Sequence, residues 1–306
     1  MVFFELNLLF ISRIIQGLCI GGDSAANSVI IYNNSINGKK FRSSFLCGST
    51  SIIGFLLALI ISFFITKFFG ENNWRFAFLI SIFITFLTLY LRLKFINTKN
   101  LIKKDYNKVN SKFKISLIYY SILSIFSFSF IGYLFYYKII FVTNIFSNNY
   151  SYSNQKIDLI NSISMIINLP FMFISSILCD KIRYFKFFPI ILAIFVIPFL
   201  NYFILQGNLY SFFIYDAVYA MAAASIIPSV LGSIPEKIRS VVFGFSFNFS
   251  YGFFSSLNLF LINFNKFKFI NFYSIFTLLS FLSILFYIII TRKYNIYNDK
   301  HSKYST

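Results

Sequence analysis

The stretch Arg13–Ile30, RIIQGLCIGGDSAANSVI, sets a guanidinium, a carboxamide and a carboxylate inside an apolar run long enough to be a membrane helix. Spacings of three, seven and four residues place Arg13, Gln16, Asp23 and Asn27 on one face of that helix. A charged side chain among lipid tails costs at least about 2.5–3.5 kcal/mol. The face is therefore expected to line a water-accessible path or to meet partners on other helices. Arg13 and Asp23 stand about 15 Å apart along the axis, too far to pair with each other. Gly17, Gly21, Gly22, Ala25 and Ala26 remove bulk and let neighbouring helices come close.

The rest of the chain is equally apolar. Of its 306 residues 58% are hydrophobic and only 12% charged, and the mean hydropathy is +0.75, which excludes a soluble domain. The net charge of +18 is spread over short loops between apolar runs. That pattern fits membrane topology and not a nucleic-acid-binding face, so no nucleic acid is expected as a partner. Cys19, Cys47 and Cys179 lie in or beside three different apolar runs. They have neither a paired nor a metal-ligand spacing, and no metal or cofactor is expected. The opening MVFFELNLLF lacks the basic start of a cleaved signal, so the first run is expected to stay as a helix.

Nine runs are long enough to span a bilayer: 6–32, 44–66, 76–93, 115–137, 159–179, 187–206, 209–233, 240–264 and 269–291. The loops 33–43, 92–114, 180–186, 235–239 and 292–306 hold 20 lysines and arginines, and the opposite loops hold six. The positive-inside rule makes the first set cytoplasmic and puts the C-terminus inside. An odd span number then leaves Met1 outside. The longest basic loop separates three helices from six. The expected organisation is an incomplete N-terminal bundle over 1–93, a basic central loop over 94–114, a six-helix bundle over 115–291 and a polar tail over 292–306.

RIIQGLCIGGD followed by NGKKFR resembles the fourth helix and following loop of the metabolite:proton symporter family, the proline/betaine, citrate, shikimate and oxoglutarate carriers of the major facilitator superfamily. WRFAFLISIFITFLTLYLRL, SSILCDKI, SIPEKIRS and FNFSYGFFSS resemble further segments of that family in the same order. The resemblance implies an all-α polytopic membrane protein of major-facilitator type, equivalent to helices four to twelve of twelve. It further implies a truncated, split or misannotated start, with a separate chain as a possible source of the missing helices. The expected setting is a bacterial plasma membrane. The expected activity is proton-coupled symport of a small organic solute by alternating access.

By this resemblance Arg13 and Gln16 belong to a cavity-facing helix. Arg13 serves as an anion or counter-charge site or as a fixed interhelical salt bridge. Asp23 stands where the family has Glu, either as the titrating group, since burial raises a carboxylate's pKa, or as a gate hydrogen bond. Asp216, with Tyr215 and Tyr219 nearby, is a second proton-site candidate or a hydrated vestibule residue. Tyr136, Tyr137 and Lys138 occupy the outer end of their span, where an aromatic face with one cation suits a carboxylate or quaternary amine and where interfacial belts look the same. Asn248 is a polar cavity candidate.

At the cytoplasmic gate the resemblance selects Lys40, Asp180, Lys181 and Arg239. Ser176 and Arg183 replace two family glycines, which puts the tight turn, and with it the Asp180 contact, in doubt. Asn33 and Gly232 stand seven residues before Lys40 and Arg239, at places where family members carry acids. Both ion pairs of the gate are therefore expected to be lost, leaving a gate held otherwise or a decaying, non-transporting membrane protein or scaffold. An intramembrane enzyme is disfavoured. The only histidine, His301, lies in the polar tail, and no helix has two acids within a turn.

Overall fold

The computed structural model describes residues 25–36, 39–70, 76–95, 111–182, 185–263 and 276–291. These residues form helices joined by turns. The described part of the first helix, α1, covers residues 25–33. It is followed by α2 (Lys40–Phe69), α3 (Phe76–Phe95) and α4 (Ser111–Tyr136). A π-helical turn (Tyr137–Val142) leads into α5 (Thr143–Asn148); then come α6 (Asn154–Lys181), α7 (Phe188–Leu205), α8 (Leu209–Ser233) and α9 (Arg239–Asn263). A final helix, α10, is Phe276–Thr291. Among the described residues, five helical rods are long and apolar enough to cross a membrane: Lys40–Phe69, Ile115–Asn148, Lys156–Lys181, Phe185–Leu205 and Leu209–Ser233. With no water to satisfy backbone amides in a bilayer core, apolar segments of this length are confined to helix.

Local chemistry sets the helix ends. Asn208 caps α8, its side-chain oxygen accepting from the amides of Tyr210 (3.0 Å) and Ser211 (3.3 Å). Ser153 caps α6 through the amide of Lys156. Between α7 and α8 the chain turns at Gly207, φ +82°, where a Cβ would lie 2.6 Å from the Tyr150 ring.

The chain separates into two compact units. One joins residues up to Thr50 with those from Ile115 onward; the other is Ser51–Lys114. The division falls inside α2, because residues 25–50 pack on the helices that follow Ile115. In the smaller unit, the rest of α2 and α3 presents mostly exposed apolar side chains, such as Phe83, Phe86 and Leu93.

In the larger unit α8 is the central helix. Ala217, Ala220, Ala222, Ala223 and Ala224 are all buried in it, and these small side chains let α6 and α7 pack closely on it. Hydroxyl groups tie the helices across their interfaces. Ser175 on α6 donates to the carbonyl of Met221 at 3.0 Å. On α9, Ser246 and Ser250 donate to the α4 carbonyls of Ser121 (3.1 Å) and Ile125 (2.7 Å). Gly132 permits this approach, since a Cβ there would stand 3.0 Å from the carbonyl oxygen of Ser250.

The predicted span 115–137 needs extending. The run expected to end at 137 continues through the π-helical turn as one rod to Asn148. Lys138 therefore lies ten residues before the rod's end, about 15 Å along an ideal helix.

Candidate functional site

Two polar clusters stand out in the larger unit, one in its interior and one at the end that carries the basic loops.

The interior cluster is built on the π-helical turn. Such turns insert an extra residue per turn and occur at functional sites. Lys138, the second residue of this turn, reaches α8, where its Nζ lies 2.7 Å from Oδ2 of Asp216. Their side chains are 1% and 0% exposed. The ammonium also stands 5.8 Å from the centre of the Phe212 ring, one turn before Asp216. Next to Lys138, the Tyr137 hydroxyl donates to Oδ1 of Asn201 on α7 at 2.6 Å. The Tyr215 hydroxyl donates to the carbonyl of Leu134 at 3.0 Å. Three helical rods thus meet through one ion pair and two hydrogen bonds. Neither ion has exposed surface, and a buried pair holds only while both partners keep their charge: removing one costs about 3–5 kcal/mol.

The expected positions of these residues change accordingly. Lys138 is buried inside the bundle and not in an outer aromatic belt. Asp216 is sealed from solvent and paired, not a vestibule residue. Tyr137 is buried with them, and Tyr136 is half-buried. Tyr219 is buried one turn beyond Tyr215, 6.1 Å from the Phe135 ring. Asn248 lies apart from this cluster: it is exposed, and its side-chain amide donates to the carbonyl of Gly244 at 2.7 Å. Asn27 is exposed on α1. Arg13, Gln16 and Asp23 lie outside the described residues. Asn201 and Phe212 were missed in the sequence, where a single Asn and a Phe among many carry no spacing signal.

The second cluster joins the ends of α1, α6 and α8 to the starts of α2 and α9. Asp180, near the end of α6, accepts from the α2 backbone amides of Phe41 (2.9 Å) and Arg42 (3.1 Å). Its Oδ2 also lies 3.4 Å from Nε of Arg42. A carboxylate at a helix N-terminus satisfies unpaired amides and complements the helix dipole. The loss of turn glycines therefore does not cost this contact. Arg42 is the partner that the sequence did not single out.

Where both gate ion pairs are expected to be lost, other groups make contacts with the cations. Arg239 donates through Nη1 to Oδ1 of Asn33 and through Nε to the carbonyl of Ile234 at 3.1 Å. Its guanidinium lies 5.2 Å from the Tyr32 ring centre, and Lys40 Nζ lies 5.1 Å from the same centre. Lys181 is exposed beside Asp180. An amide and an aromatic ring thus meet the cations near the places where the resembling family carries acids.

The family model of the Major Facilitator Superfamily matches residues 1–258. The chain belongs to the Major Facilitator Superfamily. The match spans the segment around Arg13 and both clusters. A family of membrane transporters agrees with the helical architecture of the described residues and the apolar rods, and this superfamily member is a multi-pass membrane protein. No curated protein matches the chain.

Proposed function

We propose that this superfamily member is a proton-coupled symporter of a small organic solute, of the proline/betaine or carboxylate type, working by alternating access. The observation that carries the reading is the buried Lys138–Asp216 pair. A fixed ion pair adds little stability over an apolar pair of similar volume. Its retention in the core is better explained by a carboxylate that takes up and releases a proton beside a compensating ammonium. In the deprotonated state the pair is neutral and sealed. Protonating Asp216 leaves Lys138 with an uncompensated charge in a low-dielectric interior, which favours a rearrangement that brings the lysine to water or to an anionic group.

Asp216 is assigned as proton acceptor and Lys138 as its counter-charge, with Tyr137 and Asn201 positioning the π-helical turn. Arg13, Gln16 and Asp23, as the resemblance implies, and Asn27, by its spacing on the same face, are proposed to supply the facing side of the pathway. Lipid, solute and protons are the partners of this reading, and a bacterial plasma membrane with the C-terminus in the cytoplasm is its setting. The non-transporting alternative drew on the missing gate acids, and it weakens now that other residues occupy those contacts.

The test is uptake of labelled proline, glycine betaine and succinate into vesicles under an inward proton gradient. The wild type should accumulate at least one of them. The double variant Lys138→Gln/Asp216→Asn leaves no unpaired buried charge and should insert normally, yet lose gradient-driven accumulation. Undiminished accumulation by the double variant would remove Asp216 from the reading, and no uptake of any solute by the wild type would support the non-transporting alternative.

A further inference from the structure

We propose that the basic end of this carrier is latched by Tyr32, and that Gly232 is glycine because the tyrosine hydroxyl occupies the space of its side chain. The latch rests on the family's alternating access and not on the proton reading above.

The geometry begins with Tyr32 itself, which sits at the end of α1 and is only 5% exposed. Its ring is the common neighbour of two cations from two other helices: Lys40 at the start of α2 and Arg239 at the start of α9. Cations are drawn to the negative face of an aromatic ring, more strongly where water is excluded. Arg239 is further fixed by the side chain of Asn33 and the carbonyl of Ile234. The guanidinium therefore binds the end of α1 to the end of α8 at the same point.

The hydroxyl end of Tyr32 completes the arrangement. A Cβ built on Gly232 would lie 2.2 Å from Oη and 3.2 Å from Cζ of Tyr32. The first distance is well inside contact, and the clashing atom ends a stiff ring held at several points. Any side chain at 232 would have to push Tyr32 out of its seat. The family resemblance puts an acid at this position. Here an acid could not coexist with the seated tyrosine, so the missing carboxylate and the tyrosine belong to one substitution of gate chemistry. The second missing acid, at Asn33, is replaced by an amide that accepts from the same arginine. The end of the molecule that looked eroded in sequence is closed by a self-consistent set of contacts.

This set makes a prediction that simple packing does not. Closure should depend on the ring of Tyr32, and intolerance of Gly232→Ala should depend on its hydroxyl. The experiment uses the full chain in vesicles with its three native cysteines replaced. A reporter cysteine, Ser233→Cys, takes the place of a buried residue at the end of α8. Labelling by a membrane-impermeant maleimide from the basic side reads opening.

The parent should label slowly. Tyr32→Leu should raise the rate about tenfold, the scale of one desolvated cation–π contact. Tyr32→Phe should stay within about threefold of the parent, since the ring remains. Gly232→Ala should raise the rate about as much as Tyr32→Leu, and Gly232→Ala combined with Tyr32→Phe should return close to the parent. The proposal is overturned if the parent already labels at the rate of the opened variants, if Tyr32→Leu labels like the parent, or if Gly232→Ala opens the gate equally with Tyr or Phe at 32. Should Tyr32→Leu fail to fold, the cycle between Gly232→Ala and Tyr32→Phe decides alone, because every member keeps the ring. Solute uptake is not part of this readout, so failure of the proton reading and failure of the latch are separate results.

Discussion

The interior site and the basic end both hold cations, and they do so by opposite means. Inside, the Lys138 ammonium meets one carboxylate at 2.7 Å with both side chains buried. At the basic end, Arg239 and Lys40 meet a ring, and Arg239 also meets an amide and a backbone carbonyl; the Asp180 carboxylate goes instead to Arg42 and two backbone amides. The first arrangement is cancelled by a single proton. The second is built largely from groups whose charge a proton near neutral pH does not change. On the proposals above, the molecule separates a place where protonation acts from a place where conformation is held, and each is breakable without the other.

The largest effect is expected inside. Lys138→Met leaves Asp216 without its counter-charge and should lower stability by about 3–5 kcal/mol, seen as a lower thermal unfolding midpoint and poor recovery from detergent. Lys138→Met combined with Asp216→Leu should recover most of that loss, because two apolar side chains replace both ions. If the double variant were no better than the single one, the pair would not be a closed unit and the contrast with the basic end would fail.

Asp180→Ala comes next. It removes a helix cap and an ion pair together and should destabilise the closed basic end by about 1–2 kcal/mol. Thiol labelling at position 233 should rise while proton-driven accumulation is reduced but not uncoupled. Unchanged labelling would show that Asp180 fixes α2 without holding the gate.

The smallest effect is expected from Asn33→Ala. It deletes one acceptor of Arg239 at an exposed position, for about 0.5–1 kcal/mol, because Tyr32 and the Ile234 carbonyl still hold the guanidinium. A larger loss than that from Tyr32→Leu would make the amide, and not the ring, the centre of the latch.

The sequence made the helices legible, since long apolar runs follow directly from what a bilayer tolerates. Asp216 and Lys138 each drew notice as charges near apolar runs. Their pairing did not, because it depends on a π-helical turn that carries α4 onward to Asn148, and the run YYKIIFV has no signal that separates it from an ordinary helix end. Asp180 was visible through its motif, whereas its acceptance from Phe41 and Arg42 required two segments 138 and 139 residues apart to meet. At Asn33 and Gly232 the sequence showed only what was missing. Tyr32 was silent among 21 tyrosines, and its role emerges only from the space that Gly232 leaves for its hydroxyl.

The most direct test of the central claim follows protons and solute together. Vesicles carrying a pH-sensitive dye report proton entry driven by added proline, glycine betaine or succinate, and labelled solute exchange is recorded in parallel. The wild type should acidify the lumen as solute enters, and Lys138→Gln/Asp216→Asn should exchange solute with no proton entry. Proton entry by the double variant at the wild-type ratio to solute would contradict the account.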